Sequence, residues 1–259
     1  GCMSWWGKVI GGTLGFFLGG PLGALLGTYF GHGFDASRGA RPTALPGDQE
    51  RVQAAFFAAT FSVMGHLAKS DGRVTRDEID LANALMEEMQ LAEDKRKLAR
   101  SLFNQGKAEG FDFTAVIRQF RQECHRRSTL MRMFMEIQVQ AAFADQRLDP
   151  AENRLLAQLA EELGFDRSDL ARIIELVRGA GHVHDSPDQF ELADAYAVLG
   201  VDESTPIDEV RKAYRRLLGQ HHPDRLVAKG LPEEMIRLAN EKTAEIRKAW
   251  EKIREERGG

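Results

Sequence analysis

The tripeptide His222-Pro223-Asp224 brings an imidazole and a carboxylate together beside a fixed backbone. Proline holds its own φ at about −65° and moves the preceding residue out of the α region. A helix that runs up to Gln220 should therefore stop around His222. The sequence predicts that both polar side chains are displayed on a loop tip.

Four cations lie on the helix that precedes this tripeptide. Thr205 can cap the helix, with Pro206 in its first turn and Asp208 completing a capping box. Apolar residues then recur at helical spacing on one side: Ile207, Val210, Tyr214, Leu217 and Leu218. The cations on the other side are Arg211, Lys212, Arg215 and Arg216. They form a compact positive surface beneath the loop, and this surface should attract an acidic partner.

A further helix is predicted to start near Pro232. The carboxylates of Glu233 and Glu234 would interact favourably with the positive end of its dipole. Its inward positions are Met235, Ile236, Ala239, Ile246, Trp250 and Ile253. The two antiparallel helices would clamp the loop between them.

Three segments in the last quarter of the chain resemble the J domain of DnaJ-type co-chaperones. They are AYAVLGV at 195–201, DEVRKAYRRLLGQHHPDR at 208–225 and EIRKAWEKI at 245–253. The resemblance implies that the loop and the basic helix dock on a DnaK-type ATPase and stimulate its ATP hydrolysis. It assigns chaperone binding to His222, Pro223, Asp224, Arg211, Lys212, Arg215, Arg216 and Arg225. Taken alone, the tripeptide would also fit an ordinary helix-stopping turn.

No enzymatic activity is expected of this chain, and no cofactor. It contains no P-loop, no G-x-S-x-G, no H-E-x-x-H and no Cys-His pair in a credible context. Any hydrolytic chemistry would then belong to the partner.

The N-terminal segment reads as one transmembrane helix. Residues 9–31 contain no Asp, Glu, Lys or Arg, and about 20 apolar residues span a bilayer core. Aromatic residues flank the run as in interfacial belts: Trp5, Trp6, Tyr29 and Phe30. A cleaved signal peptide is the alternative. The expected location is the bacterial inner membrane, with a short periplasmic N-terminus and the bulk of the chain in the cytoplasm.

Glycine recurs at every fourth position of this segment, which places a smooth groove along one helix face. The residues are Gly11, Gly15, Gly19, Gly23, Gly27 and Gly31. The pattern predicts a homodimer through the membrane helix, although glycine is also generally frequent in membrane helices.

The whole chain is predicted to be all-α, with an anchor at 1–34, a linker at 35–49, a helical domain at 50–178, a second linker at 179–191 and the J domain, a helical hairpin, at 192–259. The central domain contains an internal repeat, in which 67–89 aligns with 141–163. This arrangement looks like the tellurite-resistance TerB-like domain. Together, the three parts resemble a membrane-anchored bacterial co-chaperone.

Four carboxylates in the repeat could bind a metal ion: Asp71, Glu78, Asp145 and Glu152. Capping boxes at 75–78 and 149–152 explain much of the same pattern, so no metal is assigned. Nucleic acid is not expected as a partner, because the net charge is −4 and no aromatic platform accompanies the cations. The main alternative is a membrane-tethered scaffold or sensor, whose central domain binds an unknown ligand or metal and whose J domain only recruits the chaperone.

Overall fold

The computed structural model describes residues 18–31, 47–70, 76–143, 148–185 and 190–258. All regular secondary structure in these ranges is helical, so the predicted all-α class is confirmed. The first eight helices are α1 Gly20–Gly31, α2 Asp48–Ala68, α3 Arg76–Glu88, α4 Glu93–Gly106, α5 Phe113–Glu123, α6 Ser128–Ala142, α7 Pro150–Leu163 and α8 Arg167–Asp185. The remaining elements are α9 Leu192–Leu199, α10 Ile207–His221, α11 Pro223–Ala228, a 3₁₀ turn Glu233–Met235 and α12 Ile236–Glu256.

Helix α2 forms the centre of the middle domain. It is buried almost throughout from Val52 to Ala68, because α4, α5, α6 and α7 pack around it. Three phenylalanine rings meet edge to face or tilted at this centre: Phe56, Phe120 and Phe134. A helix that is apolar on all sides is stable in water only in such surroundings.

The internal repeat corresponds to two helix pairs, α2–α3 and α6–α7. Helix α2 ends at Ala68 and α6 at Ala142, while α3 begins at Arg76 and α7 at Pro150, so both boundaries shift by the same number of residues. Equivalent apolar side chains are buried in both copies: Leu85, Met89, Leu159 and Leu163. Repetition in the sequence therefore corresponds to repetition in the fold.

Helix α1 packs on α4 and α5 of the middle domain. Leu22 and Leu26 are fully buried there. The side-chain amide of Gln119 donates a hydrogen bond to the Gly19 carbonyl (2.8 Å) and accepts one from the Leu22 amide (2.8 Å). None of the helices in the described ranges is both long and apolar enough to cross a bilayer. Of the predicted span at 9–31, only 18–31 belongs to those ranges.

The linker predicted at 179–191 needs correction, because α8 continues to Asp185. Leu170 and Ile173 belong to the core of the middle domain, whereas Ala180 belongs to the core of the J domain. Gly179, which suggested a linker, instead permits close packing: a Cβ atom there would lie 2.9 Å from the Asp194 carbonyl oxygen. One continuous helix thus joins the two domains.

The start of α10 also differs from the predicted capping box. Pro206 is the N-cap residue, and its carbonyl accepts from the amides of Glu209 and Val210. The Thr205 hydroxyl instead accepts a hydrogen bond from the Asp202 amide at 3.1 Å. The Asp202 amide in the short loop before α10 competes with the helix amides for this hydroxyl. A sequence pattern cannot reveal which donor is bound.

The J-domain residues divide between two hydrophobic cores. One core is formed mainly by α9, α10 and the C-terminal part of α12, and includes Phe190, Tyr196, Leu199, Val210, Leu217, Ile246 and Ile253. The segment 226–239, which follows the tripeptide, instead joins the core of the middle domain through Leu226, Leu231, Met235, Leu238 and Ala239. The tripeptide lies at the border between these two cores.

Candidate functional site

The tripeptide forms a corner between two helices and not the predicted loop tip. His222 follows the last residue of α10 with φ −61° and ψ 123°, and Pro223 begins α11 directly. Proline suits the first helical position because its missing N–H would have no partner there. Asp224 lies in the same first turn, where a carboxylate interacts favourably with the helix dipole. The prediction missed α11 because a six-residue helix carries too little periodic pattern.

Both polar side chains of the corner are accessible. His222 and Asp224 are exposed and Pro223 is half-buried. Arg225 is also exposed, and its Nη1 lies 3.4 Å from the Gly219 carbonyl oxygen near the end of α10. This contact ties the two arms of the corner together, so the exposed groups project from a constrained backbone.

The four predicted cations lie on the exposed side of α10. Two of them are partly neutralised: Arg211 lies 3.6 Å from Asp208, and Lys212 lies 2.6 Å from Glu209. The hydrogen bond that Lys212 donates to the Glu209 carboxylate raises the pKa of Lys212. Arg215 and Arg216 lie one turn closer to the corner. The positive surface therefore extends towards His222 and Asp224.

Helix α10 packs against α12 through stacked aromatic rings. Tyr214 stacks on Trp250 of α12 with ring centroids 5.2 Å apart, and the Arg211 guanidinium lies 5.9 Å from the centre of the same indole ring. Trp250, predicted to point inward, is half-buried in this stack. Stacking of this kind fixes α10 against α12 while leaving the cationic side open.

Sequence reasoning missed a buried ion pair next to the corner. His221, the last residue of α10, places its Nε2 2.7 Å from Oε2 of Glu136 on α6. The two side chains are 2% and 0% exposed. Burial alone would raise the pKa of Glu136, but the attraction and hydrogen bond of His221, with Arg132 and Lys242 nearby, lower it to about 2. The only sequence signal was a carboxylate between apolar neighbours, Met135 and Ile137, in α6.

Of the four metal candidates, only the side chain of Glu152 is described by the structure. Asp71 and Asp145 lie outside the described residues, as does the side chain of Glu78. Glu152 is buried, and its carboxylate accepts from the Asp149 amide at 2.9 Å in the predicted capping box. Across the described ranges, no group of three or more His, Cys, Asp or Glu side chains could hold a metal ion.

The glycine pattern is described only in part. Gly11 and Gly15 lie outside the described residues, and Gly19 precedes α1 with φ +59°. Gly23 is buried and Gly27 is exposed. The predicted dimer therefore stays a prediction.

The corner, the cationic helix and the α9–α12 core define a J-domain protein. A family model for the DnaJ domain matches residues 194–257. The model described as tellurite resistance protein TerB matches residues 57–175, and that of the co-chaperone DjlA transmembrane domain matches 3–42. These matches follow the predicted order of anchor, central domain and J domain.

The chain is also similar to curated proteins over its full length. The co-chaperone protein DjlA of Photobacterium profundum is 42% identical over 98% of this chain and 99% of the relative. The proteins of the same name from Salmonella typhimurium and Escherichia coli (strain K12) are 43% and 41% identical, each over 99% of both chains. No solved structure matches this chain.

The chain belongs to the DjlA co-chaperone family. It is a membrane-anchored J-domain co-chaperone, and the scaffold or sensor alternative is not favoured.

Proposed function

We propose that the His222-Pro223-Asp224 corner and the exposed side of α10 form the docking site for a DnaK-type chaperone, and that docking stimulates ATP hydrolysis by that partner. The observation that carries the proposal is the exposure of His222 and Asp224 on a proline-fixed corner, beside a positive helix face. Membership of a co-chaperone family supports a DnaK-type partner.

The two parts of the site have different tasks. Arg211, Lys212, Arg215 and Arg216 attract an acidic surface over a distance, which raises the association rate and orients the partner. Arg215 lies about two helical turns before His222 and hence on the same side of the helix. The corner then makes the short contacts, to which Arg225 contributes, and these depend on its fixed backbone.

Single-turnover ATP hydrolysis by a DnaK-type chaperone tests this proposal. Full-length wild type should accelerate hydrolysis, and Asp224→Asn should abolish the acceleration. The matched control is Asp202→Asn, the same chemical change at an exposed J-domain position away from the corner. Equal stimulation by wild type and Asp224→Asn would refute the proposed site.

We further propose that the anchor crosses the bacterial inner membrane once, in a state in which α1 has left the middle domain, with the short N-terminus in the periplasm and the bulk of the chain in the cytoplasm. An ATP-dependent partner is the supporting argument, together with Arg38 and Arg41 after the apolar segment. An impermeant thiol reagent added to intact spheroplasts should label Cys2 and should not label Cys2→Ser. Protection of Cys2 until the membrane is opened would overturn this orientation.

Self-association through the glycine face is proposed as well. Small residues at this spacing let two helix backbones approach closely in lipid. Replacing Gly15, Gly19 and Gly23 by Leu should abolish association in a membrane dimerisation assay, whereas Ala24→Leu should preserve it. Unchanged association of the triple variant would contradict the proposed dimer.

The chain itself is proposed to have no enzymatic activity and no nucleic-acid partner, in line with its net charge of −4. Filter binding should show no salt-dependent retention of DNA or RNA, because phosphate contacts would release counterions. A steep salt slope would overturn this part of the proposal.

A further inference from the structure

The buried pair Glu136–His221 connects the middle domain directly to the backbone of the docking corner. Both ring nitrogens of His221 form hydrogen bonds. Nδ1 lies 2.9 Å from the Leu217 carbonyl oxygen, and Nε2 lies 2.7 Å from the Glu136 carboxylate. A carbonyl oxygen and a carboxylate can only accept hydrogen bonds. With Glu136 ionised, as its lowered pKa indicates, both ring nitrogens donate, and His221 is assigned as an imidazolium.

The charges around the pair support this protonation state. Burial alone would lower the pKa of His221, but attraction to Glu136, its hydrogen bond and that of the Leu217 carbonyl raise the pKa above its ordinary value. Arg132 Nε lies 3.1 Å from the other oxygen of Glu136, on the same helix; its charge helps to lower the pKa of Glu136 and opposes the rise in the pKa of His221.

Helix α12 adds a second ion pair to the cluster. Lys242 and Glu245 are both buried, with Nζ and Oε2 3.2 Å apart. Glu88 of α3 also acts on Lys242 electrostatically. The cluster therefore contains three cations and three anions from four helices: Arg132, His221, Lys242, Glu88, Glu136 and Glu245. A balanced cluster of this kind favours one arrangement of the helices, since displacing one member leaves a buried charge without its partner.

The other side of the corner is attached to the same domain. Lys229 Nζ donates to the Thr129 hydroxyl at 2.7 Å, and Gln49 Nε2 donates to the Val227 carbonyl at 3.1 Å. Leu226 and Leu231 are fully buried in the core of the middle domain. His222 and Asp224 thus project from a short stretch of backbone that the middle domain holds from both ends.

We propose that Glu136 is a positioning residue for the docking corner: by binding the His221 side chain, the middle domain fixes the backbone from which His222 and Asp224 project. The middle domain is then part of the co-chaperone mechanism and more than a spacer between membrane and J domain. This inference rests on the proposed function of the corner. It assigns no contact between Glu136 and the chaperone.

The test compares Glu136→Gln with wild type in full-length protein in detergent, using single-turnover ATP hydrolysis at increasing co-chaperone concentration. The cationic face is untouched, so the half-saturating concentration should stay within about twofold of wild type. Maximal stimulation should fall on the order of tenfold, because contacts at the corner depend on geometry. Glu136→Asp keeps the carboxylate and should recover most of the stimulation.

Glu245→Gln is the matched control. It removes a buried carboxylate from the same cluster, but one that pairs with Lys242. It should lower the unfolding midpoint comparably while keeping the wild-type maximum. If Glu136→Gln and Glu245→Gln lower the maximum equally, or if Glu136→Gln stimulates like wild type, Glu136 has no positioning role.

Two measurements keep the outcomes distinct. If Asp224→Asn stimulates like wild type, the proposed docking site fails, whatever Glu136 does. If Glu136→Gln does not fold, the inference is tested by the protonation state of His221 in wild type. That state is read from the NMR signals of its ring nitrogens at about pH 7.5. A doubly protonated ring is expected. A neutral ring would overturn the inference.

Discussion

The two arms of the His-Pro-Asp corner pack against different parts of the molecule. The arm before it, α10, lies in the J-domain core with α9 and α12 and exposes its cations. The arm after it, 226–239, lies in the core of the middle domain. The first arm exposes its charged side, whereas the second attaches the corner to the middle domain. The proposed docking corner therefore lies at the border of two cores, and its backbone depends on the relative placement of both.

Cavity-forming substitutions in the two cores should have the largest effect on stability, and they test whether the two arms belong to separate cores. Leu199 and Leu226 are both fully buried, one in each core. Changing either to Ala should cost about 2–5 kcal/mol in the free energy of unfolding. Hydrogen exchange should locate the effects: Leu199→Ala should expose amides of α9 and α12, and Leu226→Ala those of 226–239 and α2. Identical exchange patterns would mean that the two cores are one cooperative unit.

A glycine in the second arm tests its attachment to α2. Gly230 has φ +110°, and a Cβ atom there would lie 2.5 Å from Val52 Cγ1. Gly230→Ala should therefore cost about 2–3 kcal/mol of folding free energy and weaken the attachment. Gly200→Ala is the control, because its φ of +64° is strained but no atom lies within 4 Å of the new Cβ. That variant should lose about 1 kcal/mol. Equal losses in urea titrations would exclude a specific contact with α2.

The pH dependence of stability tests the Glu136–His221 pair. Because the pKa of Glu136 is lowered, its ionised form stabilises the folded protein above the ordinary pKa of 4.5, and this stability is lost as pH falls towards about 2. Because the pKa of His221 is raised, its protonated form stabilises the folded protein fully below the ordinary pKa of 6.5. That stability is lost as pH rises through the raised pKa. The pair should therefore stabilise the protein most between about pH 4.5 and 6.5, by about 1–3 kcal/mol.

The reference for this measurement is the double variant Glu136→Gln/His221→Gln, which keeps a polar pair without charge. The difference in unfolding free energy between wild type and the double variant should shrink as pH falls from 4.5 towards about 2, and also as pH rises through the raised pKa of His221. A difference that changes in neither direction would contradict the ion pair.

The smallest expected effect concerns the exposed arm alone. Glu209→Gln removes the carboxylate that hydrogen-bonds Lys212 and leaves a more positive α10. The half-saturating concentration for chaperone stimulation should fall by less than about twofold at low salt. The difference should disappear at high salt, and its persistence there would show that charge attraction is not the cause. Both side chains are exposed, so losing the ion pair and the interaction of Glu209 with the helix dipole should lower the unfolding midpoint only slightly.

Much of the fold could be predicted from residue patterns. The repeat of 67–89 at 141–163 and the stripe of Ile207, Val210, Tyr214, Leu217 and Leu218 predicted helices that the structure contains. The linker at 179–191 could not be judged in this way, because Gly179 and Gly181 are typical of both loops and tightly packed helices. Only the position of α9, whose Asp194 carbonyl lies beside Gly179, distinguishes the two.

The sequence by itself determined which polar residues are exposed around the proline and which charges accompany them, although it predicted a loop tip where the structure has a corner. Proline restricts the backbone locally and cations repeat at helical spacing, so His222, Asp224 and the arginines of α10 could be named without a structure. The tertiary structure decided what holds the corner. Glu136 and His221 are far apart in the sequence, and a buried pair is formed by helix packing that no local pattern encodes. Local conformation follows from neighbouring residues, whereas burial and the pKa values that depend on it follow from the whole fold.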